Sequence, residues 1–280
     1  MNRILAAARS STVRSVKSLL DTLGLSVIKS EHYSQLTDAS KSEFDVRFIR
    51  SFPIERAHQI IDLLPESKAQ LRQDLFVLLA LNFKSNGYFI EFGATDGITL
   101  SNTYLLEKKF GWTGILAEPA LVWRKMLCEN RQVIISTKCV WSKSGTIVQF
   151  CETPWSELST AFDFLESDRH EGLRKNYKSY AVPTISLEDL IIKHHAPSII
   201  DFLSIDTEGS EFDILNSFPF GEYKFRVIAC EHNFTENREK IFDLLSRNGY
   251  VRVLTAISDF DDWYVHEDLG VQHIPQQVSQ

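Results

Sequence analysis

Short apolar runs alternate along the chain with stretches whose apolar residues recur at helical spacing. The runs fall at 88–92, 114–117, 133–135 with 139–141, 146–151, 182–185, 199–205, 225–230, 250–254 and 261–265. Largely apolar runs of this length suit strands covered on both faces. Between them, 103–109, 121–127 and 235–248 suit helices, and Ser186 is placed to cap another that begins Leu187-Glu188-Asp189. Strand–helix alternation predicts a mostly parallel α/β sheet. Gly145 turns the chain into a return strand at 146–151, and the last two runs predict a closing hairpin. Upstream, 55–83 reads as helical up to and beyond Pro65, and 30–50 is mixed and polar enough to read as a linker. In residues 1–25, Ile4, Leu5, Val13, Val16, Leu19, Leu20 and Leu23 share roughly one helical face, and Gly24 is a natural stop.

The first strong run ends in Glu91-Phe92-Gly93-Ala94-Thr95-Asp96-Gly97, and a helix-compatible stretch follows Asn102 and Thr103. Strand, glycine turn and helix are the parts of a nucleotide-type site, because glycine admits close backbone approach and a helix N-terminus offers free N–H groups. A dinucleotide site would carry G-x-G-x-x-G; the spacing here is G-x-x-x-G. It suits a cofactor without a pyrophosphate, and S-adenosylmethionine (SAM) is the candidate. Glu91 would meet its cationic amino-acid end, with Gly93, Ala94, Thr95, Asp96, Gly97 and Asn102 around its methionine part. An ordinary strand–loop–helix corner is the rival reading.

Acids at later strand ends change that picture. Glu118-Pro119 closes the second run, where a carboxylate can accept both ribose hydroxyls of an adenosine. Trp141-Ser142 ends the 139–141 run, where an adenine ring would lie, although a lone Trp at a strand end is more often core. The run 199–205 delivers Asp206, with Glu208 and Glu211 just beyond, and 225–230 delivers Glu231-His232-Asn233. In a parallel sheet these side chains share one edge. Helix capping by Asp206 or Glu208 is the bland alternative. The polar-aromatic stretch 152–180 suits a polar acceptor or is a structured insertion.

Composition narrows the partners. The chain has 280 residues, 44% hydrophobic and 24% charged, which is ordinary globular usage and enough for one large α/β domain with an extension. A net charge of −7 argues against a nucleic-acid partner. No apolar run approaches the ~18 residues of a membrane span. The basic N-terminal helix packs on the domain or a partner on the favoured reading. Peripheral contact with anionic lipid through residues 1–25 is the other reading, and an organellar presequence is also compatible. Cys128, Cys139, Cys151 and Cys230 lack C-x-x-C spacing, so reduced thiols in a cytoplasmic protein are expected rather than zinc.

Several motifs in order then resemble the FkbM-type methyltransferases: the glycine turn after Glu91, Glu118-Pro119, Ser186-Leu187-Glu188-Asp189-Leu190, the segment from Ile205-Asp206-Thr207-Glu208-Gly209 to Leu215, and Glu231-His232-Asn233. The resemblance covers about residues 85–265. It implies a class I SAM-dependent, Rossmann-like three-layer sandwich, with a mostly parallel seven-stranded sheet and one antiparallel strand. It also implies O-methylation of a hydroxyl, on a sugar or a natural-product scaffold. Residues 1–84 are then an N-terminal helical extension and linker, 85–268 the methyltransferase domain and 269–280 a tail. The expected partner is a small-molecule or glycan acceptor; the oligomeric state stays open. Asp206, Glu208, Glu231 and His232 are the candidate proton acceptors, and Asp206, Glu231 and His232 the candidate ligands for Mg2+. Two rivals remain: a non-catalytic protein that binds a glycan or lipid headgroup on the same fold, and a nicotinamide enzyme.

Overall fold

The computed structural model describes residues 30–168 and 171–270. The chain divides into two compact units, residues 1–46 and 47–280. The expectations for residues 1–25 and for most of the tail fall outside the described residues. No helix among the described residues is long and apolar enough to cross a membrane.

The stretch expected to be a linker is helical: α1 spans Ser30–Arg50. Its described side chains are mostly exposed, so it carries no apolar stripe for a periodicity argument to find. The expected helix at 55–83 is two helices, α2 (Ile54–Ile61) and α3 (Gln73–Ala80). A run of turns separates them, ending at Arg72 in left-handed backbone (φ 61°).

The rest alternates as the pattern requires: β1 (Tyr88–Phe92), α4 (Tyr104–Phe110), β2 (Thr113–Ala117), α5 (Arg124–Asn130) and β3 (Ile134–Ser136). Then come β4 (Cys139–Trp141), β5 (Ile147–Glu152), β6 (Thr160–Ala161) and β7 (Lys178–Ser186). The chain finishes with α6 (Leu187–Lys193), β8 (Ile199–Ile205), α7 (Glu211–Asn216), β9 (Lys224–Glu231), α8 (Asn237–Arg247), β10 (Tyr250–Val253) and β11 (Asp261–His266). The main sheet has seven strands in the order β3-β2-β1-β8-β9-β11-β10. β11 runs antiparallel to both of its neighbours, and the other pairings are parallel. This is the class I methyltransferase sheet that the motifs implied.

One strand lies elsewhere than expected. Residues 139–141 do not extend β3. They form β4, which pairs in parallel with β7 in a second, four-stranded sheet, β4-β7-β5-β6. A serine turn between the two, with Ser136 Oγ accepting from the Lys138 N–H at 3.5 Å, redirects the chain.

One face of the main sheet buries Ile90, Ile115, Leu203 and Ile228 against Leu190, Ile214 and Leu245 of α6, α7 and α8. On the other face α3 lies against β9. Phe76 of α3 stacks on Trp263 of β11 at 4.8 Å, and Phe48 meets the same indole edge-on at 6.2 Å. Residues 47–84, assigned by sequence to the extension, therefore belong to the same compact unit as the sheet.

Candidate active site

Strand order reverses between β1 and β8, so their connections leave in opposite directions and open a crevice beyond their carboxyl ends. A cleft of about 230 Å³ occupies that crevice. Its walls come from the ends of β1, β2, β4, β8 and β9, from residues 156–159 with Ala161, from Gln73 at the start of α3 and from Gln70 just before it.

The glycine turn makes the first wall. Gly93 has φ +73°, and a Cβ on it would lie 2.3 Å from the Asp206 carbonyl oxygen, so only glycine lets the ends of β1 and β8 meet. Gly97 answers a different need. It also has positive φ, but its missing Cβ makes room for the Arg131 side chain, 2.6 Å from where that carbon would sit. Asp96 folds the turn on itself, accepting the Ile98 and Thr99 N–H groups at 2.8 and 2.7 Å. Gly93 and Thr95 line the cleft; Ala94, Asp96 and Gly97 do not. The last three shape the turn from behind.

Glu91 also has a different neighbourhood from the one expected. It borders the cleft, yet its buried carboxylate accepts the Asn102 N–H at 2.7 Å and the Ser101 hydroxyl at 3.1 Å, as well as the Thr103 hydroxyl. Burial raises its pKa and the Arg131 charge opposes the rise. Arg131, fully buried, also donates to Gly97 O and Ser101 Oγ at 3.0 and 3.1 Å. Glu91 and Arg131 thus fasten the loop 97–103. Asn102 lines the cleft with one group unpaired: Nδ2 donates to Ser204 Oγ at 2.9 Å, and the buried Oδ1 has no partner. An acceptor oxygen in that position fits the ammonium of a SAM molecule.

Glu118 lines the cleft at the end of β2. Each carboxylate oxygen accepts one backbone donor, Ala120 N–H at 2.8 Å and Thr95 N–H at 2.9 Å. Each keeps a lone pair for a ribose hydroxyl. Burial pushes the carboxyl up to about 7 against the pull of those two donors. Beside it, Cys139, Val140, Trp141 and Phe150 give the cleft an apolar wall suited to a purine, and Trp141 meets Phe164 edge-on at 5.7 Å. Ser142 lies outside the lining.

The opposite end is acidic. One carboxylate oxygen from each of Asp206, Glu208 and Glu231 falls within 4.8 Å of the others. Burial raises all three pKa values; the next cause is Glu211 for Asp206, and Asp206 itself for Glu208 and Glu231. Glu208 holds left-handed backbone (φ 59°), which costs a non-glycine residue ~1–2 kcal/mol. His232 is not part of the group. Its Nδ1 accepts the Phe234 N–H at 3.0 Å, and its Nε2 lies 3.8 Å from Asp262, behind the cleft. The convergent set is therefore Asp206, Glu208 and Glu231, with His232 replaced by Glu208.

Two residues complete this end. Arg174, fully buried, donates to Glu208 at 2.6 Å and to both Asp168 oxygens at 3.0 and 2.9 Å, and so ties the 156–174 segment to the end of β8. Asn233 lines the cleft beside Glu208. Sequence placed Arg174 only in a polar stretch and Asn233 only in a motif. No local signal joins residues that meet through tertiary packing alone.

Residues 91–264 match the family described as the methyltransferase FkbM domain. No curated protein gives a match. Solved structures that resemble the chain remotely include two methyltransferases by description. One is the precorrin-6y C5,15-methyltransferase of Geobacter metallireducens, at 10% identity over 69% of this chain and 84% of that one, with a TM-score of 0.38. The other is a protein assigned as an RNA methyltransferase in Pyrococcus horikoshii, at 11% identity over 69% and 81%, with a TM-score of 0.35. The matched family spans most of the chain, including the glycine turn, Glu118 and the carboxylate group, and the protein belongs to the FkbM-domain methyltransferases.

Proposed function

We propose that the protein transfers the methyl group of SAM to a hydroxyl of a polar, sugar-like acceptor. The observation that carries this reading is the division of one cleft into two chemically different halves. The Gly93 turn, Asn102 and Glu118 suit an adenosine with a cationic amino-acid tail. Asp206, Glu208 and Glu231 stand at the other half. When bound, SAM supplies a methyl carbon on a cationic sulfur, which departs with the C–S electron pair as a neutral thioether.

The chain's own task is to align the acceptor and take its proton. A carboxyl whose pKa is raised by burial and like charge is a stronger base than an exposed one. Asp206 and Glu231, whose carboxylate oxygens lie within 4.8 Å of each other, are the groups positioned to receive the hydroxyl proton. Residues 156–159 and Ala161 border the cleft; the exposed Trp155 and Phe162 flank them in sequence, Tyr177 meets Phe162 edge-on at 6.5 Å, and these rings offer faces on which a sugar can stack. The four free cysteines suit a cytoplasmic setting.

The test is incubation with isotopically labelled SAM and a panel of nucleotide sugars and glycans, with products read by mass spectrometry. A mass gain of one methyl on an oxygen is the expected result. SAM binding without transfer to any hydroxyl compound would favour the non-catalytic binder.

A further inference from the structure

We propose that Asp206, Glu208, Glu231 and the side-chain oxygen of Asn233 form a binding site for a divalent cation of the Mg2+ or Mn2+ type, which holds the acceptor through two neighbouring oxygens. The acceptor half of this statement rests on the methyl-transfer reading; the cation half stands on the geometry alone.

The spacing fits. The three carboxylates have oxygens within 4.8 Å of one another. Two oxygens on opposite sides of one ion stand about 4 Å apart around Mg2+ and about 5 Å apart around Ca2+, so carboxylates at this spacing close on Mg2+ or Mn2+ with a few tenths of an ångström of side-chain movement. Charge points the same way. Arg174 faces Glu208 and Asp168, and among the described residues no ion pair reaches Asp206 or Glu231. Like charges gathered in a protected cleft call for a counter-charge.

Asn233 supplies the independent observation. It is 7% exposed, its Nδ2 lies 3.4 Å from Glu208 Oε2, and its buried Oδ1 has no hydrogen-bond partner. A buried amide oxygen left so is costly, and a hard cation is a ligand that meets it. With His232 turned away, the donor set is all oxygen, which selects Mg2+ or Mn2+ over zinc. Four protein oxygens in a six-coordinate shell leave two positions. Two adjacent hydroxyls of a polyol fill them, and coordination lowers the pKa of the one to be methylated. The acceptor class is therefore a vicinal diol.

The experiment is titration of Mn2+ into the purified protein, with neither SAM nor acceptor present, and free Mn2+ read by electron paramagnetic resonance. One Mn2+ per chain is expected, displaced by Mg2+. Asp206→Asn and Asn233→Ala should each weaken it at least tenfold, with circular dichroism checking that both variants fold. No Mn2+ uptake at millimolar concentration, or uptake unchanged in both variants, would overturn the cation site. In the methyl-transfer assay, a vicinal diol should lose turnover in EDTA and regain it with Mg2+. Turnover unchanged by EDTA would overturn the acceptor half even with Mn2+ bound. Mn2+ uptake with no methyl transfer to any acceptor would support the cation site and count against the function reading.

Discussion

Glu118 Oε2 accepts the Thr95 N–H at 2.9 Å, so the carboxylate that ends β2 also holds the turn that leaves β1. On the proposed reading its removal acts on the cofactor half twice, through the ribose contact and through the turn. Glu118→Ala should weaken SAM binding roughly 10- to 100-fold, the equivalent of one or two hydrogen bonds to a charged group. Calorimetric titration with SAM measures it. An unchanged affinity would remove Glu118 from the cofactor site.

Gly93→Ala should be far more damaging than its size suggests. The added carbon would stand 2.3 Å from the Asp206 carbonyl in a backbone region with φ +73°. The ends of β1 and β8 must part, which misplaces both halves of the cleft. We expect loss of SAM binding and a lower melting temperature. Gly145→Ala is the control, since a Cβ there meets nothing within 4 Å although φ is also positive; it should show only the backbone cost.

Arg174→Met leaves Glu208 and Asp168 buried without their guanidinium. Breaking a buried pair in this way costs about 3–5 kcal/mol. Urea unfolding should show a drop of that order, and adding Glu208→Gln should recover part of it. If the single variant unfolds like the wild type, the 156–174 segment is not held by this residue.

Asp74 of α3 is fully buried, and its carboxyl is pushed up to about 6 from 3.8, chiefly by burial against the pull of Ser67. With a folded pKa above the unfolded one, its contribution to stability is complete below pH 3.8 and is lost as pH rises through 6. Asp74→Asn has no charge to bury. It should match the wild type near pH 4 and exceed it at pH 8, by on the order of 2 kcal/mol. Thermal melts at the two values decide this; a gap independent of pH would rule out titration of Asp74 as the cause.

The sheet was readable from sequence because buried strands announce themselves as apolar runs, and Gly93, Glu118, Asp206 and Glu231 sit at their carboxyl ends by the rule of parallel sheets. What sequence could not read depends on direction and on distance. Neighbours in the turn look alike as letters, yet Gly93 faces Asp206 while Gly97 faces Arg131. Glu91 stands at the expected place with its oxygens taken by Asn102, Ser101 and Thr103. His232 follows Glu231 directly, but adjacent residues at a strand end point to opposite sides, and it turns toward Asp262. The helix at 30–50 escaped because its described residues are mostly exposed and only Phe48 among them is buried.

The second sheet gives the cleft a separable architecture. Its β5–β7 pairing frames residues 153–177 as a cassette with both ends anchored side by side, Glu152 opposite Lys178. Toward the end of β8 the cassette reaches Glu208 through Arg174 and through the Thr160 hydroxyl on its carbonyl. Relatives could then diverge in this cassette, trading one acceptor for another, while the strand ends that grip the methyl donor stay as they are. A chimera that grafts another member's cassette between Glu152 and Lys178 should inherit the donor's acceptor range and keep the host's affinity for SAM.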